Sequence, residues 1–96
     1  MLEKVIQKRV IDYARSKRML CYKMGGIGCT VGTPDYLLLT ASGDVFFIEF
    51  KQLGKKPTPM QVREHARLKA NNINVYVVDT VEYGVEVVNE NYRELT

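Results

Sequence analysis

These 96 residues predict an α/β fold with a mixed sheet flanked by helices. Apolar residues recur at three- and four-residue spacing near the amino terminus, the mark of an amphipathic helix. Two β-rich runs, 35–40 and 45–51, are separated by Ala41-Ser42-Gly43-Asp44, a hairpin signal. A helix stands between the second run and a continuous apolar strand at 75–79, which implies a parallel, right-handed crossover. The order is α-β-β-β-α-β.

The first helix spans Leu2 to about Ser16, with Leu2, Val5, Ile6, Val10, Tyr13 and Ala14 as its apolar positions. Glu3 shares the stripe of Ile6, Val10 and Ala14, so its carboxylate tends toward the sheet; an acid in the first turn also favours the helix dipole. Leu20 to Met24 reads as a short strand, followed by Gly25-Gly26-Ile27-Gly28. Those glycines lack the Lys-Ser/Thr ending of a phosphate loop or a complete dinucleotide pattern, and read as a mobile connection. After a break at 54–57, Thr58 suits an N-cap, Pro59 the first helical position and Gln61 the far corner of a capping box. That helix closes at Asn71 or Asn72. Thr80 then caps a last helix through about Val88, weakened by Gly84 and the valines.

The chain is expected to form one domain over residues 1–96, with a core thin enough that pairing with a second copy would add useful burial. No apolar run approaches the ~20 residues of a membrane span, and the charged start Met1-Leu2-Glu3-Lys4 is unlike a secretory signal, so an intracellular, cytosolic protein is expected. Cys21 and Cys29 have too few partners for structural zinc and read as buried free thiols. The net charge of +3 is compatible with nucleic acid without demanding it. Its distribution says more, because Lys51, Lys55 and Lys56 follow the acid-bearing strand directly, and Lys23 lies on the short strand before the glycines. These lysines are candidate phosphate contacts, against the plain alternative of a solvated surface.

Chemistry concentrates at Gly32-Thr33-Pro34-Asp35 and Glu49-Phe50-Lys51. In a strand Glu49 and Lys51 share one face while Phe46, Ile48 and Phe50 share the other. Holding a carboxylate and an ammonium at a sheet surface costs several kcal/mol of hydration for each, which a divalent cation and a phosphate would offset. Register decides whether the two acids meet. A two-residue loop at Ser42-Gly43 would pair Tyr36 with Glu49; a three-residue loop, with a type I turn over Ala41-Ser42 and Gly43 left-handed, pairs Asp35 with Glu49 on one face. Gly43 favours the second register. Asp35, Glu49 and the Phe50 carbonyl then offer hard oxygen ligands to Mg²⁺, with Glu3 as a further one and Mn²⁺ as a substitute. A metal so held would polarise a phosphate and lower the pKa of bound water, while Lys51 offsets charge on phosphate oxygens or holds the attacking water. The plain alternative for Lys51 is an ion pair with either acid.

The set of Glu3, Gly32-Thr33-Pro34-Asp35, Glu49-Phe50-Lys51 and Gln61 resembles the PD-(D/E)xK nuclease pattern in the form found in virus-type replication-repair nuclease (VRR-NUC) domains, over roughly Glu3 to Val78. The resemblance implies a restriction-endonuclease-like αβββαβ core. It implies that Asp35 and Glu49 bind metal with the Phe50 carbonyl, that Lys51 assists attack, that Gln61 positions water or a ligand, and that Glu3 is the acid of the first helix. It also implies a homodimer cutting branched DNA such as four-way, Holliday-type junctions. Gln61 keeps its capping role as an alternative. His65, one turn further on, could reach the site as a base, although a lone helix histidine is more often a surface or core-edge residue. Tyr36 could stack on a base, but packing within the sheet is the commoner role. Two other functions fit the same residues: a nucleic-acid-binding module without catalysis, which would have little reason to keep two carboxylates facing a polyanion, and a metal-dependent phosphodiesterase acting on RNA.

Overall fold

Helix α1 (Glu3–Ser16) buries Ile6, Val10 and Ala14 of its predicted stripe together with Ile11, while Leu2 and Val5 stay exposed. It stops where Arg18 turns left-handed (φ 63°), which lets the Met19 N–H reach back to the Ala14 carbonyl at 3.2 Å. In this computed structural model, which describes residues 1–26 and 28–92, the chain then forms β1 (Leu20–Lys23), β2 (Tyr36–Leu39), β3 (Val45–Phe50), α2 (Pro59–Ala70), β4 (Asn74–Val78) and α3 (Val81–Asn91). The four strands stand in the order β1-β2-β3-β4. The first two pairings are antiparallel, and β3 with β4 is parallel across α2. The fold is the mixed α/β arrangement that the sequence predicts.

Gly43 settles the hairpin. It is left-handed (φ +89°), its N–H bonds the Thr40 carbonyl at 3.0 Å, and the Thr40 N–H bonds the Asp44 carbonyl at 2.9 Å. The loop is therefore the three-residue kind, with Leu39 opposite Val45 and Tyr36 opposite Ile48. One further step along that register sets Asp35 opposite Glu49.

The register also sorts the two faces. Leu38, Phe46, Ile48, Phe50 and Val78 point to the layer of α1 and α3 and are fully buried there. Phe46 meets Tyr76 edge-on at 5.9 Å, and Phe50 meets Tyr36 the same way at 6.1 Å, so Tyr36 is a packing residue. Phe47, Glu49, Val75 and Val77 face the other way, where α2 packs beside β4. Helix α3 outruns the expected end at Val88 and reaches Asn91. Gly84 does not stop it, and packing explains the glycine: a Cβ there would overlap the Val10 side chain and lie 3.1 Å from Val78 Cγ1, so the bare backbone is what lets α3 close on α1. Gly84→Ala is expected to destabilise the fold by roughly 1–3 kcal/mol, because overpacking outweighs alanine's helix advantage of up to about 1 kcal/mol. Chemical unfolding measures this, and a variant as stable as the parent would show that α3 is free to lift. Both cysteines are free and half-buried rather than fully buried.

Candidate active site

Asp35 and Glu49 are both positioned by the sheet. Asp35 sits one residue before β2, where its carbonyl accepts from the Met24 N–H at 2.7 Å. Its carboxylate Oδ2 accepts from the Phe50 N–H at 2.8 Å and so continues the sheet sideways where the β2–β3 ladder ends. The turn that delivers Asp35 passes close under α2. Gly32 is left-handed (φ +90°), and any Cβ on it would collide with the Met60 carbonyl, which explains the glycine of Gly32-Thr33-Pro34-Asp35. Pro34 is buried beside it.

Glu49 lies in the middle of this arrangement and is only 2% exposed. Its Oε2 accepts from Gln61 Nε2 at 3.2 Å, whereas its Oε1 has no hydrogen-bond partner among the described residues. Burial pushes the Glu49 carboxyl up to about 8. The nearby Asp35 carboxyl adds to the rise, Lys51 opposes it, and Glu3 contributes a further rise. Two carboxylates and one ammonium are thus within electrostatic reach of each other, at the face that α2 covers.

Gln61 keeps its capping role and also reaches Glu49. Its Oε1 accepts from the Thr58 N–H at 2.9 Å while the Gln61 N–H bonds Thr58 Oγ1 at 3.3 Å, completing the capping box, and its free Nε2 reaches Glu49. The cap therefore aims the amide at the acid. Lys51 is half-buried beyond the end of β3, with its N–H on the Val78 carbonyl at 2.9 Å. Among the described residues it makes no ion pair with Asp35 or Glu49, so the plain alternative for this lysine is not what the structure shows. Glu3 is exposed in the first turn of α1, contrary to its expected lean toward the sheet, and reaches the site through its charge alone. Lys55 and Lys56 are exposed after β3. Lys23 is exposed on the edge strand opposite Tyr36, on the other sheet face from Glu49.

His65 is placed differently from its expected position at the surface or core edge. It is 6% exposed, and Nε2 lies 3.8 Å from Glu49 Oε1 with no hydrogen-bond partner among the described residues. Burial holds its pKa below the ordinary imidazole value, with Lys69 and Lys51 lowering it further against Asp35 and Glu64. Its four-residue spacing from Gln61 was the available signal, since that spacing puts both side chains on one helix face.

The donor set suits a hard divalent cation. Asp35 and Glu49 bring carboxylate oxygens, one of them buried and unpartnered, and their mutual repulsion is what a positive charge would relieve. Among the described residues no three His, Cys, Asp or Glu side chains are gathered as a metal-holding cluster.

No protein-family model matches the chain. Over 78 residues, 81% of this chain and 83% of the relative, it is 40% identical to Putative nuclease p44 of Acyrthosiphon pisum secondary endosymbiont phage 1. A solved VRR_NUC domain superposes with a TM-score of 0.81 at 32% identity, covering 95% of this chain and 97% of that one.

Proposed function

Because the chain belongs to the VRR-NUC family, we propose that it is a metal-dependent endonuclease that hydrolyses DNA phosphodiester bonds, acting as a homodimer on branched DNA such as four-way junctions. One observation carries the reading: a carboxylate 2% exposed, with one oxygen unpartnered, beside a second carboxylate. An apolar residue at position 49 would make the more stable sheet, so retention of the acid points to chemistry.

Asp35 and Glu49 would hold the cation, Mg²⁺ or Mn²⁺, with the Phe50 carbonyl as a further oxygen, while the exposed Glu3 adds negative charge to the site without ligating. Bound there, the ion supplies Lewis-acid polarisation of the phosphate and a more acidic water. The chain does the rest. Gln61 holds Glu49 by one oxygen and thereby fixes how its other oxygen is presented. Lys51, near both acids yet unpaired with either, offers its ammonium to charge growing on the phosphate oxygens. Lys55 and Lys56 would meet the flanking backbone phosphates as exposed, screened charges, whereas Lys23, on the other sheet face, is set apart from them. Support for a homodimer comes from apolar surface on the edge of the sheet, where Leu20 and Tyr22 are 55% and 49% exposed.

The test incubates the protein with labelled linear, single-stranded, flap and four-way DNA, and with RNA, in Mg²⁺, Mn²⁺ or EDTA. Cleavage of DNA that needs the metal and prefers the four-way substrate is expected. Lys51→Ala should lose about 10²–10³-fold in cleavage while still binding DNA. Cleavage in EDTA, or binding by the parent protein without cleavage, would refute the reading. Preference for RNA would move the substrate.

A further inference from the structure

Gln61 satisfies one oxygen of Glu49, and the other oxygen faces a histidine that no part of the proposed chemistry uses. Glu49 Oε1 and His65 Nε2 are both buried, both lack a hydrogen-bond partner among the described residues, and lie 3.8 Å apart. Leaving a buried polar atom unpartnered is costly, so two that face one another across less than 1 Å beyond bonding distance are each other's natural partners. Their elements are fixed. Glu49 is in β3 between β2 and β4, and α2 is held at its start by the Thr58–Gln61 capping box and by the close approach of Gly32 to Met60.

We infer that His65 is a positioning residue for the proposed metal site: its Nε2–H donates to Glu49 Oε1 and, with Gln61 on Oε2, clamps the carboxylate from one face of α2. The clamp rests on the reading of Glu49 as a metal ligand. Hydrogen-bonded partners of ligating carboxylates fix the oxygens in place before the ion arrives, and their loss commonly costs 10–100-fold in metal affinity or activity. His65 touches no substrate. A leucine of similar size would fill the same space without donating; a glutamine can donate from nearly the same place.

Three proteins decide it: the parent, His65→Leu and His65→Gln, compared by calorimetric Ca²⁺ and Mn²⁺ binding, by cleavage kinetics, and by nitrogen NMR of the imidazole in the metal-free parent. The parent's His65 is expected as the Nε2–H tautomer, with its resonances shifted by Glu49→Gln. His65→Leu should bind metal 10–100-fold more weakly and lose kcat by a similar factor at unchanged KM for DNA, and His65→Gln should recover most of both. A parent with Nε2 unprotonated would overturn the inference. So would His65→Leu with parental metal affinity, or His65→Gln as impaired as His65→Leu. Should the parent fail to cut any nucleic acid while the tautomer and the metal-affinity series hold, the nuclease reading falls and the clamp stands.

Discussion

Glu49→Gln is expected to abolish cleavage, by about 10³-fold or more, and at the same time to stabilise the metal-free protein. The first effect follows from loss of the central carboxylate. The second follows from where that carboxylate sits. Its folded pKa is raised from 4.5 to about 8, chiefly by burial and then by Asp35, so the folded protein holds this proton over a range where the unfolded chain has released it. A raised acid contributes stability that is fully present below the unfolded value and is lost as pH rises from about 4.5 through about 8. At neutral pH the cost is on the order of 2–4 kcal/mol, and glutamine, which has the same shape and no charge, removes it. Unfolding measured in EDTA from pH 5 to 9 should show the parent losing stability against the variant across that window. Addition of Mg²⁺ should close the gap by stabilising the parent alone. A variant less stable than the parent throughout would mean that Glu49 is a structural acid.

Asp35 should behave in the opposite sense, although it shares the site. Its carboxylate accepts from the Phe50 N–H at 2.8 Å, and Phe50 is wholly buried. Asp35→Ala leaves that N–H unpartnered and should destabilise the protein by roughly 1–3 kcal/mol, while Asp35→Asn keeps an acceptor and most of the stability. Both should lose cleavage, by about 10²–10³-fold or more. Paired stability and activity measurements separate the two roles. An Asp35→Asn variant that retains cleavage would remove Asp35 from the metal site.

The contrast between these acids shows what the chain alone discloses. The fold was legible because each signal was local: the three- and four-residue stripe of α1, the cap Thr58-Pro59 with Gln61, and Gly43 in the one position that makes a three-residue hairpin. That glycine also brings Asp35 opposite Glu49, so the heart of the site was legible through register. What depends on contact across the fold was not. Gly84 looks like a helix weakener until α1 is seen against it, and α3 then runs three residues past the expected end. Glu3 shares a stripe with buried residues but precedes the point where α1 meets its neighbours, so it stays exposed. His65 is a lone histidine in a polar stretch, and only the packing of α2 beside β4 turns it inward onto Glu49. Gln61 was ambiguous for a different reason, because a side-chain amide has two ends and this one uses both.

The most direct test of the central claim is a crystal of the protein soaked in Mn²⁺ and measured at a wavelength where manganese scatters anomalously. One peak is expected within about 2.0–2.3 Å of carboxylate oxygens from both Asp35 and Glu49, absent from Glu49→Gln crystals treated alike. A manganese peak elsewhere in a protein that cuts DNA, or cleavage with neither acid touching the ion, would contradict it.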